Sequence, residues 1–162
     1  ALPRDFPDRA AFDAALGDAL AAALPDWVVC AGYMRILGEA LVRRFAGRMV
    51  NIHPSLLPRH RGLHTHARAL EAGDREHGAS VHVVVPELDA GGVIAQVRVP
   101  VQPGDSPETL GARVLAREHP LLIASLELLA GGRVRERDGT IHLDGQCLFT
   151  PLRLDSDDHL AR

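Results

Sequence analysis

Two apolar runs, WVVCA at Trp27–Ala31 and RMVNIH at Arg48–His53, limit the fold more than any other feature. Both have strand length and β-branched content, and both are too short for a core helix, as in buried strands of a parallel sheet. Each follows a stretch with helical spacing, RAAFDAALGDALAAAL before the first and ILGEALVRRF before the second. Asp8 is placed to cap the first of these helices and Pro25 to stop it. Strand and helix in alternation predict an α/β sheet.

Further along, the prolines of Pro54–Gly62 predict a loop, and THARALEAG predicts a short helix ending on Gly73. ASVHVVV and GVIAQVRVPV alternate as two strands joined by PELDAG, which adds a late antiparallel pair to a mostly parallel sheet. A long helix should begin with Ser106 as cap and Pro107 in its first turn, and end at Gly131–Gly132. Pro120 should interrupt or kink it. Asp138–Gly139 and Asp144–Gly145 mark turns in a β-like tail. No repeat or linker divides residues 1–162, so a single domain is expected. The chain opens on a helix, with no strand and glycine-rich turn ahead of residue 27, where a nucleotide-binding α/β fold would have them.

Composition excludes several classes. Apolar residues are 46% and charged residues 24%, the profile of a globular chain, and a net charge of −3 gives no pull toward nucleic acid or membrane. Every basic residue is arginine, and the arginines are scattered. The two cysteines, Cys30 and Cys147, are too few for a disulfide framework and suit a reducing cytoplasm. The longest apolar runs are too short to cross a bilayer.

Chemistry concentrates in NIHPSLLPRHRGLHTH, Asn51–His66. A metal reading is weak, because His64 and His66 diverge at a helix start and no zinc-type spacing accompanies them. Ser55 lacks the glycine-flanked elbow of a serine nucleophile. His60 and His77 read as satisfied polar residues. Asn51 and His53 differ, since they alternate with Val50 and Ile52 and share one face at a strand end, where open α/β sheets bind ligands. An amide donor beside an imidazole suits a carbonyl oxygen that becomes negative, and the imidazole can pass a proton. Asp89, in ELDAGG, is a candidate third group, although an aspartate beside glycines is also a common turn cap.

NIHPSLLP followed by LDAGGVI resembles the folate-dependent formyltransferases. GLHTHARALEAGDREHGASVHVV, with AGYMRIL before it and REHPLL after it, resembles their phosphoribosylglycinamide formyltransferase branch. The resemblance runs from about Trp27 to Arg133. It implies a Rossmann-like formyltransferase fold and transfer of a formyl group from the cosubstrate 10-formyltetrahydrofolate to the amine of 5′-phosphoribosylglycinamide in purine synthesis, with no metal. Asn51 and His53 would then stabilise the oxyanion, while Asp89 would support the imidazolium and relay protons through water. The folate heterocycle would lie against Met34, Arg35, Ile36 and Leu37, against Asn51, and against the loop of Val85, Pro86, Glu87, Leu88 and Asp89. Gly32, Pro54 and Glu118 would meet the glycinamide substrate. Ser80 and His82 resemble positions lining the same site. The family's first βα units, with their phosphate-binding loop, have no counterpart here, so residues 1–162 correspond to the later portion of its domain. The strand at Trp27–Ala31 would form an exposed sheet edge through which the chain could dimerise or associate. A formyltetrahydrofolate hydrolase and a non-catalytic folate-binding fragment are the alternatives. Leu57–Pro58 is expected to be a cis peptide, because the loop must turn sharply after His53.

Overall fold

A computed structural model describes residues 3–33 and 35–162. Asp8 caps the first helix as expected, its side chain accepting from the Ala11 amide at 2.8 Å, and α1 runs over Arg9–Ala22. Then follow β1 (Val28–Cys30), α2 (Glu39–Arg44), β2 (Met49–His53), α3 (Thr65–Glu71), β3 (Glu76–Val83) and β4 (Val93–Pro100). α4 (Pro107–Ala130) is succeeded by short strands β5 (Val134–Arg137), β6 (Thr140–Leu143), β7 (Gln146–Cys147), β8 (Leu152–Leu154) and β9 (Leu160–Ala161).

The main sheet has the order β1-β2-β3-β4-β8-β9, and β5-β6-β7 form a second sheet. β1·β2 and β4·β8 pair parallel. The anticipated late antiparallel pair is β3·β4. β2·β3 and β8·β9 are antiparallel as well, so the sheet is more mixed than the alternation of elements alone suggests. The connection from β2 through α3 brings the chain back antiparallel, a direction that the alternation of strand and helix does not encode.

β3 lies between two partners, and every residue after Glu76 in it is buried. Val81, Val83, Ile94, Ala95 and Val97 of the central strands meet Leu110, Val114, Leu121 and Leu129 of α4. Val134, Ile141 and Leu143 of the small sheet join the same core. Each fully buried aliphatic side chain contributes roughly 1.5–3 kcal/mol against exposure. α4 begins with a reciprocal capping box between Ser106 and Thr109, with Pro107 in its first turn. It also runs through Pro120 without ending, so of the two expected outcomes, interruption or kink, the interruption does not occur. The loss of one helical hydrogen bond there is offset by Leu121, Ser125 and Leu129, which stay buried on the far side of the proline.

Asp138–Gly139 and Asp144–Gly145 both have positive φ, as two-residue hairpin turns require. Leu57–Pro58 is cis, as expected for this loop. β1 stands at one end of the sheet among the described residues, with Val29 38% exposed. Among these residues no helix is long and apolar enough to cross a membrane.

Candidate active site

β2 delivers Asn51 and His53 to its carboxyl end. Register sets Asn51 opposite His82 and His53 opposite Ser80 on β3. The Asn51 amide nitrogen lies 3.3 Å from His82 Nε2, and His82 Nδ1 lies 2.9 Å from the Val83 carbonyl oxygen. A carbonyl only accepts, so His82 Nδ1 carries the proton and Nε2 accepts from the amide. Burial pushes the His82 pKa below its ordinary value against the opposing pull of the Val83 carbonyl and Asp89, which keeps the ring neutral. Its Nε2 also lies 3.6 Å from Asp89 Oδ1, too long for a hydrogen bond, so the Asn51 contact is the one that sets the ring's role. The arrangement turns the NH₂ of Asn51 toward His82 and leaves the second amide hydrogen for a ligand.

His53 is only 6% exposed. Its Nε2 lies 3.1 Å from the carbonyl oxygen of His60, and its Nδ1 lies 3.4 Å from Asp89 Oδ2. The carbonyl assigns a hydrogen to Nε2 by the same reasoning. Nδ1 is then the nitrogen that gains and loses a proton, and it faces the carboxylate.

Asp89 reaches this position through backbone geometry. Its φ is +48°, and Oδ2 accepts from the Gly62 amide at 2.9 Å, with Gly62 itself at φ +79°. Two residues on, a Cβ at Gly91 would overlap the Val83 carbonyl, so glycine lets the loop press onto the end of β3. Asp89 thus has the placement of a loop cap and also lies beside His53, since its carboxylate ties the Pro54–Gly62 loop to the loop after β3 and stands 3.4 Å from the imidazole.

These three side chains open on a cavity of about 610 Å³. Gly32, Arg35, Ile36 and Leu37 line one wall. Val85, Pro86, Leu88 and Asp89 line another, with Pro54 and Glu118 completing the enclosure. Ile36, Leu63 and Leu88 are each at least half exposed at its mouth, apolar cover for a flat ligand. The first wall is strapped to α1, where Asp13 accepts from the Gly38 amide at 2.7 Å, Arg9 donates to the Ile36 carbonyl, and the Arg35 guanidinium stands 5.7 Å from the Phe12 ring centroid. Burial pushes the Glu118 carboxyl up, opposed by His119 and His53.

Two expected residues, Glu87 and Ser80, are not among those lining the cavity. Met34 lies outside the described residues. Glu87 is not in the cavity wall, because its exposed carboxylate turns outward to accept from Arg61 at 2.9 Å. Sequence reasoning passed over Gly62, Leu63 and Cys30, which also line the cavity, and the His60 carbonyl. Only Gly62 carried a signal, a glycine ending a proline-punctuated loop. His60, read as a satisfied loop residue, bonds Asp74 through its ring at 2.8 Å. His77 is satisfied too, but inside β3 and buried, 3.1 Å from His66. Among the described residues no group of three His, Cys, Asp or Glu side chains is placed to hold a metal ion.

An amide donor, a buried imidazole and a carboxylate gathered at the end of β2 are groups suited to acyl-transfer chemistry, the class of enzyme to which the fold and cavity point. Residues 2–126 match the formyl transferase family. The phosphoribosylglycinamide formyltransferase of Escherichia coli (strain K12) is 50% identical over 143 residues, covering 88% of this chain and 68% of that protein. The structure of the Coxiella burnetii phosphoribosylglycinamide formyltransferase superimposes with a TM-score of 0.85 at 46% identity, covering 90% of this chain and 69% of that one. A formyltetrahydrofolate deformylase of Pseudomonas syringae pv. tomato is also similar, with a TM-score of 0.75 at 33% identity over 80% of this chain and 44% of that one. The chain belongs to the formyl transferase family, and within it is most like the phosphoribosylglycinamide formyltransferases among these relatives.

Proposed function

We propose that this chain transfers the formyl group of 10-formyltetrahydrofolate to the amine of 5′-phosphoribosylglycinamide. The observation that carries this reading is the meeting of Asn51, His53 and Asp89 at one end of the cavity. The amine attacks the formyl carbon, and the former carbonyl oxygen takes up negative charge. Asn51 donates its free amide hydrogen to that oxygen, and the protonated Nδ1 of His53 donates a second hydrogen bond. Asp89 stabilises the imidazolium from 3.4 Å. As the carbon–nitrogen bond to the folate breaks, the proton lost by the attacking amine passes through water held at Asp89 to the leaving nitrogen. Glu118, held toward its neutral form by burial, can orient the glycinamide end by hydrogen bonding.

The apolar mouth at Ile36 and Leu88 and the backbone of Val85–Asp89 suit a flat heterocycle with a donor and acceptor edge. Two free cysteines suit a cytoplasmic location. The β1 edge, partnered on one side only among the described residues, is the surface through which a second copy would associate.

The hydrolase reading uses the same three residues with water in place of the amine, and the overlap with a deformylase structure gives it a specific footing. Release of tetrahydrofolate, followed with and without 5′-phosphoribosylglycinamide, separates the two. Transfer requires release to depend on the amine. Amine-independent release would replace transfer with hydrolysis, and folate binding without release would leave a binding fragment.

A further inference from the structure

Gln96, on β4, faces the loop that follows His53 rather than the cavity. Its side-chain nitrogen donates to the Leu57 carbonyl at 2.9 Å and to Ser80 Oγ at 3.0 Å. Ser80 Oγ in turn accepts from the Leu57 amide at 3.1 Å and donates to the Ser55 carbonyl at 2.7 Å. Ser55 closes the chain of bonds, its hydroxyl donating to the Arg59 carbonyl at 2.7 Å. The next residue is His60, whose carbonyl accepts from His53 Nε2. Ser55 and Ser80 are fully buried and Gln96 is 7% exposed, so water does not substitute for these bonds.

We propose that Gln96 is a positioning residue for the reaction, fixing the proton on His53 Nε2 by holding the Ser55–His60 turn in place. The kinetic consequence of this role rests on the formyl-transfer reading, and the structural one does not. Beside Gln96, the turn is held by Ser80 on β3, by the His60 ring on Asp74 at 2.8 Å and by buried Leu57. Its backbone–backbone bonds are local, Ser55 to His53 and Arg59 to Leu56, so Gln96 is the side chain of β4 that fixes the Leu57 carbonyl. A buried network is strong when every member is satisfied, and no buried side-chain nitrogen or oxygen among the described residues lacks a partner. Removing the Gln96 amide leaves the Leu57 carbonyl buried without its side-chain donor, and the turn shifts to recover one. The His60 carbonyl shifts with it. His53 then loses the acceptor that keeps hydrogen on Nε2 and leaves Nδ1 to work against Asp89. A displacement of about 1 Å at a reacting group costs on the order of a hundredfold in rate.

The test compares the unaltered chain with Gln96→Leu and Gln96→Glu. The first removes both donors at similar volume, and the second keeps the shape while turning an acceptor toward the Leu57 carbonyl. Histidine side-chain ¹⁵N NMR, with His53 assigned by its disappearance in His53→Asn, reads the tautomer whether or not the chain turns over. The expected result is an Nε2–H tautomer in the unaltered chain and a mixed one in the folded variants. kcat should fall roughly ten- to hundredfold with KM for the folate within about threefold. If Gln96→Leu fails to fold, Gln96→Glu carries the same measurement. An unchanged His53 tautomer in a folded variant overturns the proposal, as does a loss confined to KM. Absence of turnover in the unaltered chain would count against the formyl-transfer reading alone, with the tautomer still deciding the role of Gln96.

Discussion

His53, the last residue of β2, and Asp89, in the loop after β3, meet with Nδ1 of the imidazole 3.4 Å from Oδ2 of the carboxylate, while Nε2 is occupied by the His60 carbonyl. The pairing therefore has one working nitrogen. Asp89→Asn keeps an oxygen to accept from the Gly62 amide but removes the charge that favours imidazolium. Turnover should fall on the order of a hundredfold or more, with melting temperature little changed. Steady-state kinetics beside a thermal melt checks this, and a variant with normal kcat would remove Asp89 from the proton path.

Asn51 is the amide donor, its orientation held by neutral His82 at 3.3 Å. Loss of an oxyanion donor costs about 10²–10³ in kcat, so Asn51→Ala should show that loss while folate binding measured by calorimetry weakens far less. Equal losses in binding and turnover would assign Asn51 to substrate binding alone.

His77 makes stability depend on pH. Burial, reinforced by His66 and His60 and opposed by Asp74, lowers its pKa from 6.5 to about 4. Between those values the unfolded chain takes up a proton that the folded chain refuses. Stability from this group is complete above about pH 6.5 and is lost as pH falls toward about 4, on the order of 3 kcal/mol in all. His66 is lowered in the same direction. Urea unfolding at pH 7.5 and pH 4.5 should show the loss, and His77→Gln should flatten it. A pH-independent midpoint in the unaltered chain would contradict the burial argument.

Gly91 brings the Asp89 loop against β3, where a Cβ would overlap the Val83 carbonyl. Gly91→Ala must push that loop outward, carrying Asp89 away from His53. The expected outcome is a lower melting temperature together with a kcat loss like that of Asp89→Asn. Normal activity in Gly91→Ala would show that the loop has room the structure does not give it.

Much of this site was legible in the sequence. Alternation of Asn51 and His53 with Val50 and Ile52 fixed a shared face at a strand end, and Asp8, Ser106 and the two Asp–Gly pairs marked caps and turns whose geometry is local. What the sequence hid depends on distant partners. Leu152–Leu154 is too short to announce itself, and it becomes a strand because β4 offers it a parallel edge at Ala95 and Gln96. Pro120 reads as a break, yet burial on both sides of it keeps α4 whole. The His60 carbonyl has no side-chain signature at all, and Glu87 is turned out of the cavity by Arg61, an exposed residue with no periodic pattern to reveal the pairing.

The central claim is that the formyl carbon moves to an amine at the His53 site. Its most direct test gives the purified chain 10-formyltetrahydrofolate labelled with ¹³C in the formyl group, together with 5′-phosphoribosylglycinamide, and follows the label by NMR. The label should appear as a formamide on the glycinamide nitrogen, in step with tetrahydrofolate release, and His53→Asn should abolish it with the fold intact. Label collecting as free formate at a rate indifferent to the amine, or transfer undiminished in His53→Asn, would contradict the claim.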